Sequence, residues 1–272
     1  MASNHQRNDR GTDRRHGSAP GPDHAAGAGH RKRLEEARAE WLWGWHTVVA
    51  ALENPARARI KRLLATAERA RLLEGRLDSE TTVEVVENTS LSQILPPGAV
   101  HQGVGLRTPP LEPTDLDDLA GEARGFLIML DQVTDPQNVG AIFRSAAAFG
   151  ARGVILQDRH APILTGALAK AAAGAIDKIP HAREVNLSRS LERLESMGWR
   201  AVALDGGAQD ALADVLDGTP TVLVMGAEGE GVRRLVREHC DAAANIPMPG
   251  GFESLNVSAA AAVALYEASR PR

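Results

Sequence analysis

Asp135-Pro136-Gln137-Asn138-Val139-Gly140-Ala141-Ile142-Phe143-Arg144-Ser145-Ala146-Ala147-Ala148-Phe149-Gly150 follows closely on the apolar run at 126–130, and the two together read as strand, turn and helix. Asp135 is one possible cap, with Pro136 at the first helical position; Asn138 is another, with a helix from 139 to 149; Gly150 ends the helix either way. Asn138 and Arg144 are six residues apart, about 240° around a helix, so inside one helix they diverge by about 120°. If both serve one site, Asn138 belongs at the helix start. Arg144 lies among Ala141, Ile142, Phe143, Ala146, Ala147, Ala148 and Phe149, and a guanidinium in so apolar a helix is expected to have a partner.

Outward from this unit the pattern repeats. Short apolar runs at 126–130, 153–156, 201–204, 221–225 and 243–246 are separated mostly by helical patterns. Buried strands alternating with helices predict an α/β fold whose parallel sheet is covered on both faces. In such sheets ligands bind beyond the carboxyl ends of the strands, so the segments that follow the strands are where chemistry is sought.

Two more such segments stand out. Met225-Gly226-Ala227-Glu228-Gly229-Glu230-Gly231 follows the run at 221–225. Its glycines allow close backbone approach to a ligand, but the spacing matches neither dinucleotide nor nucleoside-triphosphate fingerprints, and two glutamates would repel phosphate. The last segment is Ile246-Pro247-Met248-Pro249-Gly250-Gly251-Phe252-Glu253-Ser254-Leu255-Asn256-Val257-Ser258. Its Pro/Gly part is a loop, Ser254 is a natural cap for a terminal helix, and from 257 to 266 Ser258 is the only polar residue. A helix so apolar is expected to be buried, in the core or against another subunit, and Asn256 and Ser258 then need partners.

Composition narrows the class. The chain has 272 residues, one cysteine, 43% apolar residues and a net charge of −4. Cys240 has no intramolecular partner, which excludes a disulfide scaffold. Without an apolar run of about 18 residues or a hydrophobic leader, a soluble cytoplasmic protein is expected. Charge is graded: residues 1–38 hold 8 basic and 5 acidic side chains, 39–108 hold 8 of each, and 109–272 hold 15 and 22. Residues 1–33 contain no Val, Ile, Leu, Phe, Trp, Tyr or Cys and read as a disordered basic tail. From 41 to 108 a small α/β unit is expected, with helices near 46–52, 67–73 and 90–95 and strands near 60–64 and 82–86. The proline-rich, acidic stretch at 109–122 reads as a linker and 123–272 as the second domain.

Three stretches, DPQNVGAIFRSAAAFG (135–150), VLVMGAEGEGVRRL (222–235) and IPMPGGFESLNVSAA (246–260), resemble in order the signature motifs of the SpoU/TrmH group of RNA ribose methyltransferases, in the SPOUT class. Residues 44–106, including His101-Gln102-Gly103-Val104, resemble the group's substrate-binding domain. The resemblance implies a parallel-sheet α/β domain with a C-terminal trefoil knot, preceded by a small α/β substrate-binding domain of ribosomal-protein type. It also implies S-adenosylmethionine as cofactor, no metal, and a homodimer. Carried over residue by residue, the catalytic set is Asn138, Arg144, Glu228, Ser254 and Asn256, and the cofactor is held largely by backbone groups at Gly226, Ile246 and Leu255.

The second motif and its continuation look closest to the subgroup that methylates a guanosine 2'-hydroxyl in the peptidyl-transferase loop of 23S rRNA. Pro249 to Glu253 depart from that subgroup. A tRNA or another rRNA position is the alternative substrate, and an RNA-binding assembly protein of the same fold the alternative function. The group's proposals make the first-motif arginine the base. Arginine's reference pKa of about 12.5–13.8 favours instead a phosphate-binding role for Arg144. RNA phosphates are expected to meet Arg57, Arg59, Lys61, Arg62 and the tail. Trp41, Trp43, Trp45 and His46 are read as packing residues, with stacking on bases as the alternative for the tryptophans, and Cys240 as a bystander.

Overall fold

The computed structural model describes residues 40–57, 62–77, 81–251 and 254–271. The expected basic tail, Arg59 and Lys61 lie outside the described residues.

The first unit is a four-stranded sheet with β1 (Glu40–Trp43), α1 (Trp45–Glu53), β2 (Arg62–Ala65), α2 (Ala67–Leu73), β3 (Val83–Val85), α3 (Asn88–Ile94) and β4 (Val104–Thr108). The strand order is β1-β4-β2-β3, with β4 antiparallel to both neighbours and β2 parallel to β3. Alternation sets its two faces. Leu42, Leu106 and Leu63 stand in register and point into the large core. Trp43 and Leu64, one residue on, flank Gly105 and pack with Leu91 and Leu95 of the α3 segment.

The second unit opens with α4 (Leu116–Ala120), which lies inside the stretch read as a linker. Asp115 caps it by accepting from Asp117 N at 2.8 Å, and Leu116, Leu119 and Ala120 are buried with Leu187, Leu191 and Trp199. Then come β5 (Phe126–Leu130), α5 (Pro136–Phe149), β6 (Val154–Gln157), α6 (Gly166–Ala172), β7 (His181–Glu184), α7 (Leu187–Ser196) and β8 (Arg200–Leu204). The chain finishes with α8 (Leu212–Val215), β9 (Thr221–Met225), α9 (Arg234–Glu238), β10 (Ala242–Ala244) and α10 (Val257–Ser269). The six strands are all parallel in the order β10-β8-β9-β5-β6-β7. β5 is buried throughout: Phe126, Ile128 and Leu130 enter one core cluster, Leu127 and Met129 the other. That is why its sequence is a continuous apolar run rather than an alternating one. β7 escaped the sequence reading because an edge strand with two half-buried charged residues, Arg183 and Glu184, carries no such run.

The two units share a core, and buried polar bonds join them. Thr47 Oγ1 donates to the Ala169 carbonyl at 3.1 Å. Arg57, expected to meet RNA phosphate, is instead enclosed: Nε bonds Asp177 Oδ1 at 2.5 Å, with both side chains at most 2% exposed, and Nη1 donates to the Pro109 carbonyl. A short 3-10 turn at Pro55–Arg57 turns the guanidinium inward. Arg62 is exposed but chelates Glu84 through two 2.8 Å bonds. Trp43 packs in the core and Trp41 against it, while Trp45 carries the Arg69 guanidinium 5.0 Å over its ring. His46, read as a packing residue, is exposed; the first turn of α1 directs it outward while Thr47 and Val48 go in.

The terminal helix is buried on one side only. Val257, Ala261, Ala264 and Leu265 face the core, whereas Val263 is 43% and Tyr266 54% exposed. Among the described residues no helix is long and apolar enough to cross a membrane.

Candidate functional site

The carboxyl ends of β8, β9 and β10 open onto a cavity of about 410 Å³ walled by the segments that follow these strands and by the start of α10. Each wall is set by local structure. After β9, Gly226 lies so close to Gly231 that a Cβ at 226 would stand 1.9 Å from the Gly231 carbonyl carbon. The turn closes on itself through Gly231 N donating to the Ala227 carbonyl at 2.9 Å, with Gly229 and Gly231 at φ 82° and 67°. After β10, Asn245 Nδ2 donates to the Ala208 carbonyl at 2.6 Å and its N to the Asp210 carbonyl. These bonds tie the Ile246 segment to the loop that follows β8.

At the rim three side chains from three separate segments converge. Asp135 is the cap of α5, accepting from Gln137 N at 2.6 Å and Asn138 N at 3.3 Å, with Pro136 at the first position. The alternative in which Asn138 caps the helix is therefore not the observed one, and the Asn138 side chain is released to face Glu228. Asn138 Nδ2 donates to Glu228 Oε1 at 3.4 Å, Asn256 Nδ2 donates to the same oxygen at 2.6 Å and to Asn138 Oδ1 at 3.0 Å, and Val257 N adds a third bond to Glu228 at 3.1 Å. Asn256, rather than Ser254, caps α10: its Oδ1 accepts from Ser258 N and Ala259 N. An amide two residues nearer the helix reaches those donors directly, which leaves Ser254 exposed on the cavity wall beside Leu255.

The structure thus brings together Asn138, Glu228 and Asn256, and places Gly226, Ile246, Ser254 and Leu255 around one cavity. Arg144 is not part of that arrangement. It is exposed, makes no hydrogen bond or ion pair among the described residues, and is absent from the cavity wall. Asn138 turns to Glu228 while Arg144 does not, and the partner expected for this guanidinium is not found among the described residues.

Sequence reasoning gave no role to four charged residues here. Asp131, fully buried at the end of β5, accepts from Arg233 N at 2.9 Å and Arg233 Nε at 2.8 Å, anchoring the far end of the glycine turn. Arg237 and Asp205 stand on the wall 3.9 Å apart, and Arg237 Nε is buried with no hydrogen-bond partner. The positions of Asp131 and Asp205 directly after strands were the available signal. Burial pushes the Cys240 thiol up to about 12, which keeps it protonated and unreactive. Among the described residues no cluster of three His, Cys, Asp or Glu could hold a metal ion.

A parallel α/β domain with a glycine-lined cavity at its strand ends, joined to a small mixed sheet, is the class these features define. The chain belongs to the SpoU rRNA Methylase family, which residues 125–266 match. Residues 41–114 match the family described as RNA 2'-O ribose methyltransferase substrate binding. An uncharacterized tRNA/rRNA methyltransferase of Mycolicibacterium smegmatis is 44% identical over 201 residues, covering 72% of this chain and 63% of that protein. The chain spans about three fifths of the length of the curated relatives it matches. Among solved structures, the SpoU methyltransferase AviRb from Streptomyces viridochromogenes in complex with AdoMet aligns with a TM-score of 0.71 and 26% identity, covering 88% of this chain and 92% of that one. An rRNA methyltransferase from Sinorhizobium meliloti aligns with a TM-score of 0.72 and 27% identity, covering 88% and 89%.

Proposed function

We propose that the chain binds S-adenosylmethionine in the cavity and methylates the ribose 2'-hydroxyl of an RNA nucleotide, a guanosine in the peptidyl-transferase loop of 23S rRNA, acting as a cytoplasmic homodimer. The observation that carries the reading is the meeting of Asn138, Glu228 and Asn256 at the rim of a cavity whose floor tolerates only glycine at 226. The cavity falls within the range of small-ligand pockets, about 300–1,000 Å³. Its wall combines bare backbone at the glycine turn, apolar Ile246 and Leu255, and Arg237, whose Nε lies 3.9 Å from Asp205 and makes no hydrogen bond. Such a wall, with Asp205, Glu228 and Glu230 beside Arg237, suits a ligand with a flat apolar part and a polar end that carries both charges. AviRb, crystallised with AdoMet, supports the cofactor, and the match at 41–114 supports RNA as the substrate.

The cofactor supplies an activated sulfonium methyl. The protein's task is alignment, which is worth roughly 7–11 kcal/mol when reacting groups are held in near-attack geometry. Glu228 holds the Asn138 and Asn256 amides against each other, and these two amides position the ribose. Ser254 and Leu255 close the wall and limit water. Arg144 donates to the target phosphate, because a guanidinium keeps its proton and serves as a donor rather than a base. The exposed Val263 and Tyr266 face of α10 supports the dimer, and the resemblance of the last motif supports a knot formed by the C-terminal segment.

The test is incubation of the full chain with tritiated S-adenosylmethionine and separate pools of unmodified 23S rRNA, 16S rRNA and tRNA, followed by mapping of ribose methylation. One labelled guanosine in 23S rRNA is expected. Label confined to tRNA would replace the substrate, and no label in any pool with cofactor binding intact would overturn the enzymatic reading.

A further inference from the structure

We propose that Gln102, Arg69 and Lys170 form a cradle for an RNA backbone phosphate at the junction of the two units; the inference rests on the RNA-directed function above and gives it a docking point. Gln102 is exposed and held at φ 56°, in the left-handed region that a non-glycine residue occupies only when its surroundings require it. Both of its acceptors are occupied. Its carbonyl accepts from Arg69 Nε at 3.1 Å, and its Oε1 accepts from Lys170 Nζ at 2.8 Å and Trp45 N at 3.0 Å.

What remains at this point is a set of donors. Arg69 and Lys170 make no ion pair among the described residues, although most other cations of the first unit do. The terminal nitrogens of Arg69, the remaining Lys170 protons and the Gln102 amide nitrogen make no hydrogen bond to another described residue, while the two Gln102 oxygens hold one cation each. Two cations held on the same residue without a carboxylate between them are disfavoured by like charge, and a polyanion offsets that cost. Partial burial lowers the Lys170 pKa, a cost to the charged form that a bound anion would offset.

The two cations are seated on bare backbone. A Cβ at Gly44, φ 91°, would stand 2.8 Å from Lys170 Cδ and closer still to Nζ, and a Cβ at Gly103, φ 79°, would stand 3.0 Å from Arg69 Cγ. Each glycine lets a cation lie flat across the chain toward Gln102. Arg69 is further fixed over the Trp45 ring, an arrangement worth about 0.5–1 kcal/mol at exposed sites. The cradle is also coupled to the reactive rim. Lys170 belongs to α6, and on another face of that helix the Leu168 carbonyl and Ala171 pack so tightly on Gly140 that a Cβ there would stand 2.5 and 2.7 Å away. Gly140 lies two residues from Asn138 on α5. A phosphate seated at Gln102 is thereby registered against the helix that presents Asn138.

The experiment measures binding of a fluorescein-labelled, unmodified 23S rRNA domain transcript and of inorganic phosphate to the full chain and to Arg69→Gln, Lys170→Gln, Lys170→Arg and Thr47→Val, across a salt series. For Arg69→Gln and Lys170→Gln we expect RNA affinity to fall about three- to tenfold, and the slope of log K against log salt to drop by about 0.7–0.9 per lost phosphate contact. S-adenosylmethionine affinity should be unchanged. Lys170→Arg should retain the slope, and Thr47→Val, which removes a bond between the units but no charge, should retain it as well. An unchanged slope in both charge-removing variants would overturn the cradle while leaving the enzymatic reading intact. The same loss in Thr47→Val would reduce these cations to a structural clasp, and loss of phosphate binding without loss of RNA binding would overturn RNA as the anion held there. Failure of the unaltered chain to bind RNA at all would instead overturn the proposed function, and the cradle with it.

Discussion

Asn256 and Glu228, 28 residues apart, meet through a 2.6 Å hydrogen bond from Asn256 Nδ2 to Glu228 Oε1, and the next backbone amide, Val257 N, donates to the same oxygen at 3.1 Å. One carboxylate oxygen thus ties the glycine turn to the first residues of the terminal helix, while the Asn138 amide joins from a third segment.

Glu228→Ala removes the shared acceptor and leaves both amides unguided. Hydrogen bonds to charged groups contribute about 1.5–3 kcal/mol each, so turnover at saturating cofactor is expected to fall about 10²-fold or more. Glu228→Gln, which keeps an oxygen but loses the charge, should retain about a tenth of the activity. Steady-state methylation rates beside melting curves check this; an equal loss of melting temperature and activity would make the role purely structural.

Gly226→Ala places a methyl group where the Gly231 backbone already is. Overpacking of this kind costs about 1–3 kcal/mol, and here the strain is relieved by opening the turn that lines the cavity. Titration calorimetry should show S-adenosylmethionine affinity reduced more than tenfold, with the cooperative unfolding transition preserved. Unaltered affinity would remove the turn from the cofactor site.

Arg57→Ala strands Asp177 in the interior. Breaking one side of a buried pair typically costs about 3–5 kcal/mol, so the urea midpoint should fall steeply. The salt dependence of RNA binding should keep its slope in the folded protein, because Arg57 faces Asp177 and the Pro109 carbonyl rather than solvent. A lowered slope would restore Arg57 to the RNA-binding surface.

His181 carries the pH dependence. Burial first, then the charges of Arg183 and Arg57, hold its pKa down at about 4 against an ordinary 6.5. The ring packs edge-on to Phe143 at 6.3 Å. Because the folded pKa is depressed, the unfolded chain binds the extra proton between pH 6.5 and 4, and stability falls through that window as pH falls. At about 1.4 kcal/mol per unit, the loss approaches 3 kcal/mol near pH 4. His181→Gln should flatten this part of the calorimetric stability profile relative to the unaltered chain; parallel profiles would assign the acid sensitivity to other groups.

Much of the fold was legible because its strands are buried on both faces. Phe126 to Leu130 and Thr221 to Met225 are the observed strands residue for residue, since a central parallel strand requires an apolar side chain at nearly every position. β7 and β4 were not legible: an edge strand carries charge on its open side, and Val104 to Thr108 include Gly105 and Arg107. The site was legible as a set of segments and illegible as a geometry. Asp131 and Arg233, 102 residues apart, find each other only through the neighbouring positions of β5 and β9.

Local chemistry by itself determined the strand–helix alternation, the glycine turn, the three motif segments and the amides and carboxylate they contribute, because each depends on neighbours within one or two turns of chain. Tertiary structure alone decided which charges are free. Arg57 and Arg62 read as equals in the sequence, yet one is sealed against Asp177 and the other chelated by Glu84, while Arg69 and Lys170, unremarked in the sequence, come together at Gln102. The reason is physical: a charge acts through whatever lies within a few ångströms of it, and for these residues those groups lie 22 to 120 positions away along the chain.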